Sequence, residues 1–261
     1  MQLHIATNVN DLSTQAADFI VEHINNTLQK QARFTIALSG GSTPKALHEL
    51  LASNEYKNKI NWSRVHVFWG DERFVPFNDA RNNAKMAFET LLDKVPVLKE
   101  HIHIMQTENI TPDESAQAYE KILHDYFPLV HTHHNDEVPD NTPHTTFDLV
   151  ILGMGDDGHT LSLFPGKPVI HVVDKWVTAF YLDEQAMYRI TLTHPVANHS
   201  ACVMFLVSGY GKAKALKAVL EGDYNPEVYP SQIIKPKGEL HWFVDEPAAS
   251  GLEKKKEKSF E

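Results

Sequence analysis

The chain has 261 residues, 42% of them hydrophobic and 22% charged, with a formal net charge of -10 and one cysteine. That composition suits a globular protein with a sizeable core, and it excludes an intrachain disulfide framework. The acidic balance argues against a nucleic-acid partner, and no apolar run is long enough to span a bilayer.

Residues 12–29 carry apolar side chains at helical spacing, which predicts a helix capped by Asp11 or Ser13. Residues 34–38 read as a short buried strand, and Ser39-Gly40-Gly41-Ser42-Thr43 as the turn after it. Pro44 suits the first turn of a helix through Leu47, Leu50 and Leu51. A second strand over 65–69 runs into Gly70-Asp71-Glu72-Arg73. Helices are expected over 82–92 and 112–126, the latter capped by Thr111. The polar stretch 131–146 contains His131, His133, His134 and His144. It reads as a surface loop, since no cysteine and no helical or turn geometry supports a metal site.

Apart from Asp148, residues 147–152 form an apolar run, the pattern of a buried parallel strand. Residues 188–193 alternate like a strand. A further strand over 203–207 leads through Ser208-Gly209-Tyr210-Gly211-Lys212 into a helix containing Leu216 and Leu220, and residues 240–244 form a late strand. Cys202 falls in an apolar run and is expected as a buried structural thiol. Strands alternating with helices predict an α/β fold: an open, mostly parallel, Rossmann-like sheet with helices on both faces. One domain over residues 1–250 is expected, with a frayed charged tail over 251–261. The N-terminus lacks a secretory pattern, so the expected location is cytoplasmic.

Chemistry gathers at the strand ends. The Ser39–Thr43 loop offers backbone N–H groups, hydroxyls and a helix N-terminus, which together suit an anion. It lacks the P-loop spacing. The strand over 147–152 ends in Gly153-Met154-Gly155-Asp156-Asp157-Gly158-His159, placing His159 where open α/β sheets bind ligands. His159 can move protons near neutral pH, and Asp157 could orient it. Arg73 could grip an anion or polarise a carbonyl. Lys212 could supply charge to a phosphate, and Arg189 could face either water or the cleft.

In order, these segments resemble the soluble 6-phosphogluconolactonases, relatives of the glucosamine-6-phosphate deaminases. The matching stretches are Leu38 to Pro44, Trp69 to Pro76 with Asn82-Asn83, Gly153 to Gly166, Arg189 to Thr193, and Gly211-Lys212-Ala213. Asn82 stands where serine is common in the family, and Leu161 where alanine is common. Arg73 and the Thr160–Pro165 segment favour the lactonases over the deaminases. The resemblance implies hydrolysis of 6-phospho-D-glucono-1,5-lactone, in the oxidative pentose phosphate pathway, with no cofactor and no metal. It implies His159 as general base, with Asp157 and Arg73 as catalytic partners. Ser39, Gly40, Gly41, Ser42, Thr43, Asp71, Asn83, Arg189 and Lys212 are then expected to hold a small sugar-phosphate lactone. The alternatives are a deaminase-type isomerase and a non-catalytic sugar-phosphate sensor.

Overall fold

The computed structural model describes residues 1–127 and 146–253, and in it strands alternate with helices along the chain. The first elements are β1 (Gln2–Ala6), α1 (Val9–Leu28), β2 (Phe34–Leu38), α2 (Ser42–Leu51), β3 (Val65–Trp69), β4 (Asp71–Arg73), α3 (Asn83–Thr90) and α4 (Pro112–Tyr126). Then follow β5 (Leu149–Gly153), β6 (Val177–Leu182), β7 (Met187–Leu192), α5 (His194–Asn198), β8 (Cys202–Val207), α6 (Ala213–Glu221) and β9 (Glu239–Asp245). Six strands form a parallel sheet in the order β1-β9-β8-β5-β2-β3. This is the expected sheet.

Burial on both faces explains the unbroken apolar runs. Phe34, Ile36 and Leu38 of β2 enter one core layer with Leu12, Ile20, Leu47 and Ala87. Ala37 enters the other, with Phe68, Val150, Phe205, Tyr119 and Leu216. Successive strand residues point to opposite faces, so helices must cover both. Phe205 and Trp242 lie flat against each other, 3.8 Å between centroids, a contact worth about 0.5–1.5 kcal/mol beyond area burial.

A second, three-stranded antiparallel sheet runs β4-β7-β6. Gly70 joins the two sheets: its N–H donates to Leu38 O and its carbonyl accepts from Leu192 N. A Cβ at Gly70 would lie 2.6 Å from Leu161 Cδ2, so a larger residue at the crossing would have to displace the Leu161 side chain.

Helix ends follow capping chemistry. The expected cap at Asp11 or Ser13 is corrected to Asn8, whose side chain accepts from Asn10 N and Asp11 N. Asp11 lies inside the first turn, and it accepts from Thr7 instead. Thr111 caps α4 in a full capping box with Glu114. The tail expected to fray from 251 is ordered at its start: Leu252 is buried, and Glu253 pairs with Lys217 of α6 at 2.6 Å. Residues 254–261 and the histidine-bearing stretch 131–144 lie outside the described residues. No helix among the described residues is long and apolar enough to cross a membrane.

Candidate active site

The chain leaves β2 toward β3 on one side of the sheet and later enters β5 on the other. The carboxyl ends of β2 and β5 therefore flank the topological switch point, where α/β sheets open a crevice. The Ser39–Thr43 loop follows β2 and the Met154–Thr160 turn follows β5. Ser39 lies against the end of β5: a Cβ at Gly153 would stand 3.9 Å from Ser39 Oγ. Thr43 Oγ1 also lies 2.8 Å from Ser208 Oγ, at the end of β8. Gly41 has φ of 107°, a conformation for which glycine is suited, and it leads directly into α2.

His159 Nδ1 sits 2.6 Å from Asp157 Oδ1, and the same oxygen accepts the His159 backbone N–H at 3.1 Å. Burial opposes the Asp157 charge, but its bonds to His159 outweigh this and hold the carboxyl below its ordinary range. Gly155 makes room for the pair: a Cβ there would meet His159 Nδ1 at 2.1 Å and Asp157 Oδ1 at 2.4 Å. Phe164 stacks on the imidazole at 4.2 Å, and the Arg189 guanidinium lies 5.6 Å from the centroid of the Phe164 ring.

Beneath this turn is a buried polar network. Arg189 Nη2 lies 3.1 Å from Asp71 Oδ2, and Arg189 Nε donates to Ser162 Oγ at 2.9 Å. Ser162 in turn donates to Asp71 at 2.6 Å. Arg189 is 3% exposed and Asp71 5%. Burial draws the Arg189 guanidinium below its ordinary value, with Asp71 opposing the shift. Leu161, between His159 and Ser162, has a φ of 53°. A left-handed non-glycine residue costs of order 1–3 kcal/mol and persists only where its neighbours fix it. Ser162 supplies that fixation on one side.

Glu72 makes the next connection. Its carboxylate accepts backbone N–H groups from Arg73, Asn83 and Ala84, capping α3 from inside the protein. Burial pushes this carboxyl up to about 7, against those hydrogen bonds. Asn83 Nδ2 donates to Asp71 O, and its Oδ1 lies 1.9 Å from where a Gly40 Cβ would stand. Asn83 thus braces the glycine loop. Asn82 caps α3 by accepting from Lys85 N.

The candidate residues therefore divide. His159, Asp157, Lys212 and the Ser39–Thr43 loop gather at the carboxyl edge. Lys212 Nζ pairs with Asp156 Oδ1 at 2.5 Å. Arg73 is half-buried, donates from Nη1 to Arg81 O, and keeps a buried Nε without a partner among the described residues. Asp71, Asn83 and Arg189 are buried and engaged with protein groups, not gathered at the crevice surface. Four further residues belong to the arrangement without having stood out in the sequence. Ser162 and Phe164 lie in the segment after His159, Asp156 sits beside Asp157, and Ser208 ends β8. A polar residue directly after an apolar strand was the available signal for Ser208.

Known proteins share this arrangement of strands and loops. A 6-phosphogluconolactonase of Synechocystis sp. is 37% identical over 251 residues, covering 96% of this chain and 98% of its own length. One of Nostoc sp. is 40% identical over 242 residues, 93% of each. A solved 6-phosphogluconolactonase from Trypanosoma cruzi superposes with a TM-score of 0.80 at 28% identity, covering 97% of both chains. The model of the glucosamine-6-phosphate isomerases/6-phosphogluconolactonase family matches residues 7–242, and the chain belongs to that family.

Proposed function

We infer that the protein is an enzyme that hydrolyses 6-phospho-D-glucono-1,5-lactone to 6-phospho-D-gluconate, the second step of the oxidative pentose phosphate pathway. The observation that carries this reading is the 2.6 Å Asp157–His159 pair at the switch-point crevice, beside the glycine–hydroxyl loop. A lactone is an activated ester, so its opening requires a base for water, a donor for the oxyanion and a grip on the substrate.

Asp157 accepts the Nδ1 proton of His159, which assigns Nε2 as the free base. Nε2 takes a proton from water as the water oxygen attacks the lactone carbonyl. The carbonyl electrons move onto oxygen, where Arg73 and nearby backbone N–H groups supply positive charge. When the intermediate collapses, the bond to the ring oxygen breaks, and Nε2 returns its proton to that oxygen. Asp157 stabilises the imidazolium between the two transfers. The phosphate is held by the N–H groups and hydroxyls of Ser39, Gly40, Gly41, Ser42 and Thr43, at the start of α2, with Lys212 exchanging Asp156 for it. Asp71, Asn83 and Arg189 serve as positioning residues: they fix Ser162, Gly40 and the turn carrying His159.

Timed hydrolysis of freshly generated phospholactone, corrected for spontaneous opening, tests the reading. His159→Ala should lose about 10²–10⁴-fold in turnover while phosphogluconate binding persists. A variant with near-wild-type turnover would remove His159 from the base role.

A further inference from the structure

We propose that Cys202, Glu239 and His241 form a binding site for one zinc-class divalent cation, at the opposite edge of the sheet from the crevice. The parallel register of β8 and β9 sets Cys202 directly across from Glu239. His241 follows two residues later and therefore projects from the same face. The Cys202 Sγ, a Glu239 carboxylate oxygen and a His241 ring nitrogen all lie within 4.8 Å of one another.

Three features give this cluster the character of a ligand set. Cys202 is fully buried and free, and its thiol has no hydrogen-bond partner among the described residues. His241 is buried, with Nδ1 at 3.1 Å from His4 Nε2 and Nε2 at 3.1 Å from Glu239. The first contact orients the ring as an outer partner orients a metal-bound histidine. Phe19 packs 4.5 Å from the same ring and limits its rotation. Glu239 is exposed, which gives an ion a route in and leaves water access for a fourth ligand.

Sulfur, imidazole and carboxylate together suit zinc, cobalt or cadmium, whereas magnesium and calcium select oxygen alone. Bonds of about 2.0–2.3 Å place tetrahedral donors about 3.5 Å apart; the His241–Glu239 pair is already within that at 3.1 Å, and no donor pair exceeds 4.8 Å. Binding replaces the S–H bond with a metal–sulfur bond and sends one proton to solvent. The ion would tie β8 to β9 where both strands begin, while His159 and the glycine loop lie at the carboxyl ends. Its effect falls on stability, and lactone hydrolysis should not depend on it.

The chain has a single cysteine, so thiolate-to-cobalt charge-transfer absorption reports this site alone. Chelator-stripped protein titrated with Co²⁺ should develop that near-ultraviolet band, saturating at one ion per chain with one proton released. Zn²⁺ should bleach it and raise the melting temperature. Cys202→Ser should abolish the band and the zinc stabilisation. Glu239→Gln, which leaves the buried side chains intact, should weaken binding at least about ten-fold. Absence of the band near stoichiometric cobalt overturns the proposal. So does zinc stabilisation that is equal in wild type and both variants, which would locate the ion elsewhere, as among His131, His133 and His134.

Discussion

Removing the Asp71 carboxylate should be one of the most damaging substitutions outside the apolar core. Asp71→Ala leaves the Arg189 guanidinium, 3% exposed, without its hydrogen-bonded counter-charge and with only Glu72 as a further favourable carboxyl, and it strips Ser162 of its acceptor at 2.6 Å. An uncompensated buried charge costs about 3–5 kcal/mol, and a lost hydrogen bond about 0.5–1.5 kcal/mol. The combined loss of about 3.5–6.5 kcal/mol compares with a total stability of about 5–15 kcal/mol. Arg189→Met removes the other charge and keeps much of the packing. The double variant Asp71→Ala/Arg189→Met should therefore be more stable than Asp71→Ala alone, with a coupling of at least about 2 kcal/mol. Urea unfolding at pH 7, extrapolated linearly for all four proteins, measures it. Additive losses, with coupling under about 0.5 kcal/mol, would refute the claim that the two charges depend on each other.

Gly155→Ala should cost about 10²-fold in turnover, because a Cβ within 2.1 Å of His159 Nδ1 must displace the base; unchanged kinetics would mean that the pair can move freely. Glu72 imposes a pH dependence on folding. The folded carboxyl keeps its proton to about 7 and the unfolded one to about 4.5, so its contribution is full below about pH 4.5 and is lost as pH rises from there through about 7. Wild type should lose about 3 kcal/mol over that window relative to Glu72→Gln, and parallel stability curves for the two would exclude this. Lys212→Ala should narrow the preference for phosphorylated over plain gluconolactone, read as kcat/KM for both. Equal use of both lactones by wild type would reduce the Ser39–Thr43 loop to a turn.

The main sheet was legible because its strands are buried on both sides: Val65 to Trp69 and Cys202 to Val207 are wholly apolar but for His66. In the small sheet only β7 was, through its alternation over 188–193. Asp71-Glu72-Arg73 reads as readily as a solvated strand end as a ligand edge, and its burial depends on β7, whose Arg189 lies 118 residues further along. Likewise β6 is half-exposed and β1 carries few fully buried side chains, so neither alternates clearly. For the site, His159 and the glycine loop were visible because paired glycines directly after an apolar strand exceed what a plain turn needs. Arg189 was ambiguous because alternation along a strand gives two faces without saying what covers either. Only the pairing with Asp71 and Ser162 decides that. Asn8 was missed as a cap because the helix starts three residues before its apolar stripe.

The pairing of β1 with β9 has a consequence for synthesis on the ribosome. His4 meets His241 across 237 residues of chain. At about 5–20 residues per second, β1 waits about 12–50 s from its own emergence until its sheet neighbour exists. Contacts of such long range close late in folding. The rest of the sheet can condense from β2 onward, but its β9 edge cannot be closed until the last strand arrives. A circular permutant that joins the region after β9 directly to β1 and opens the chain elsewhere would convert that last, slow step into a local one.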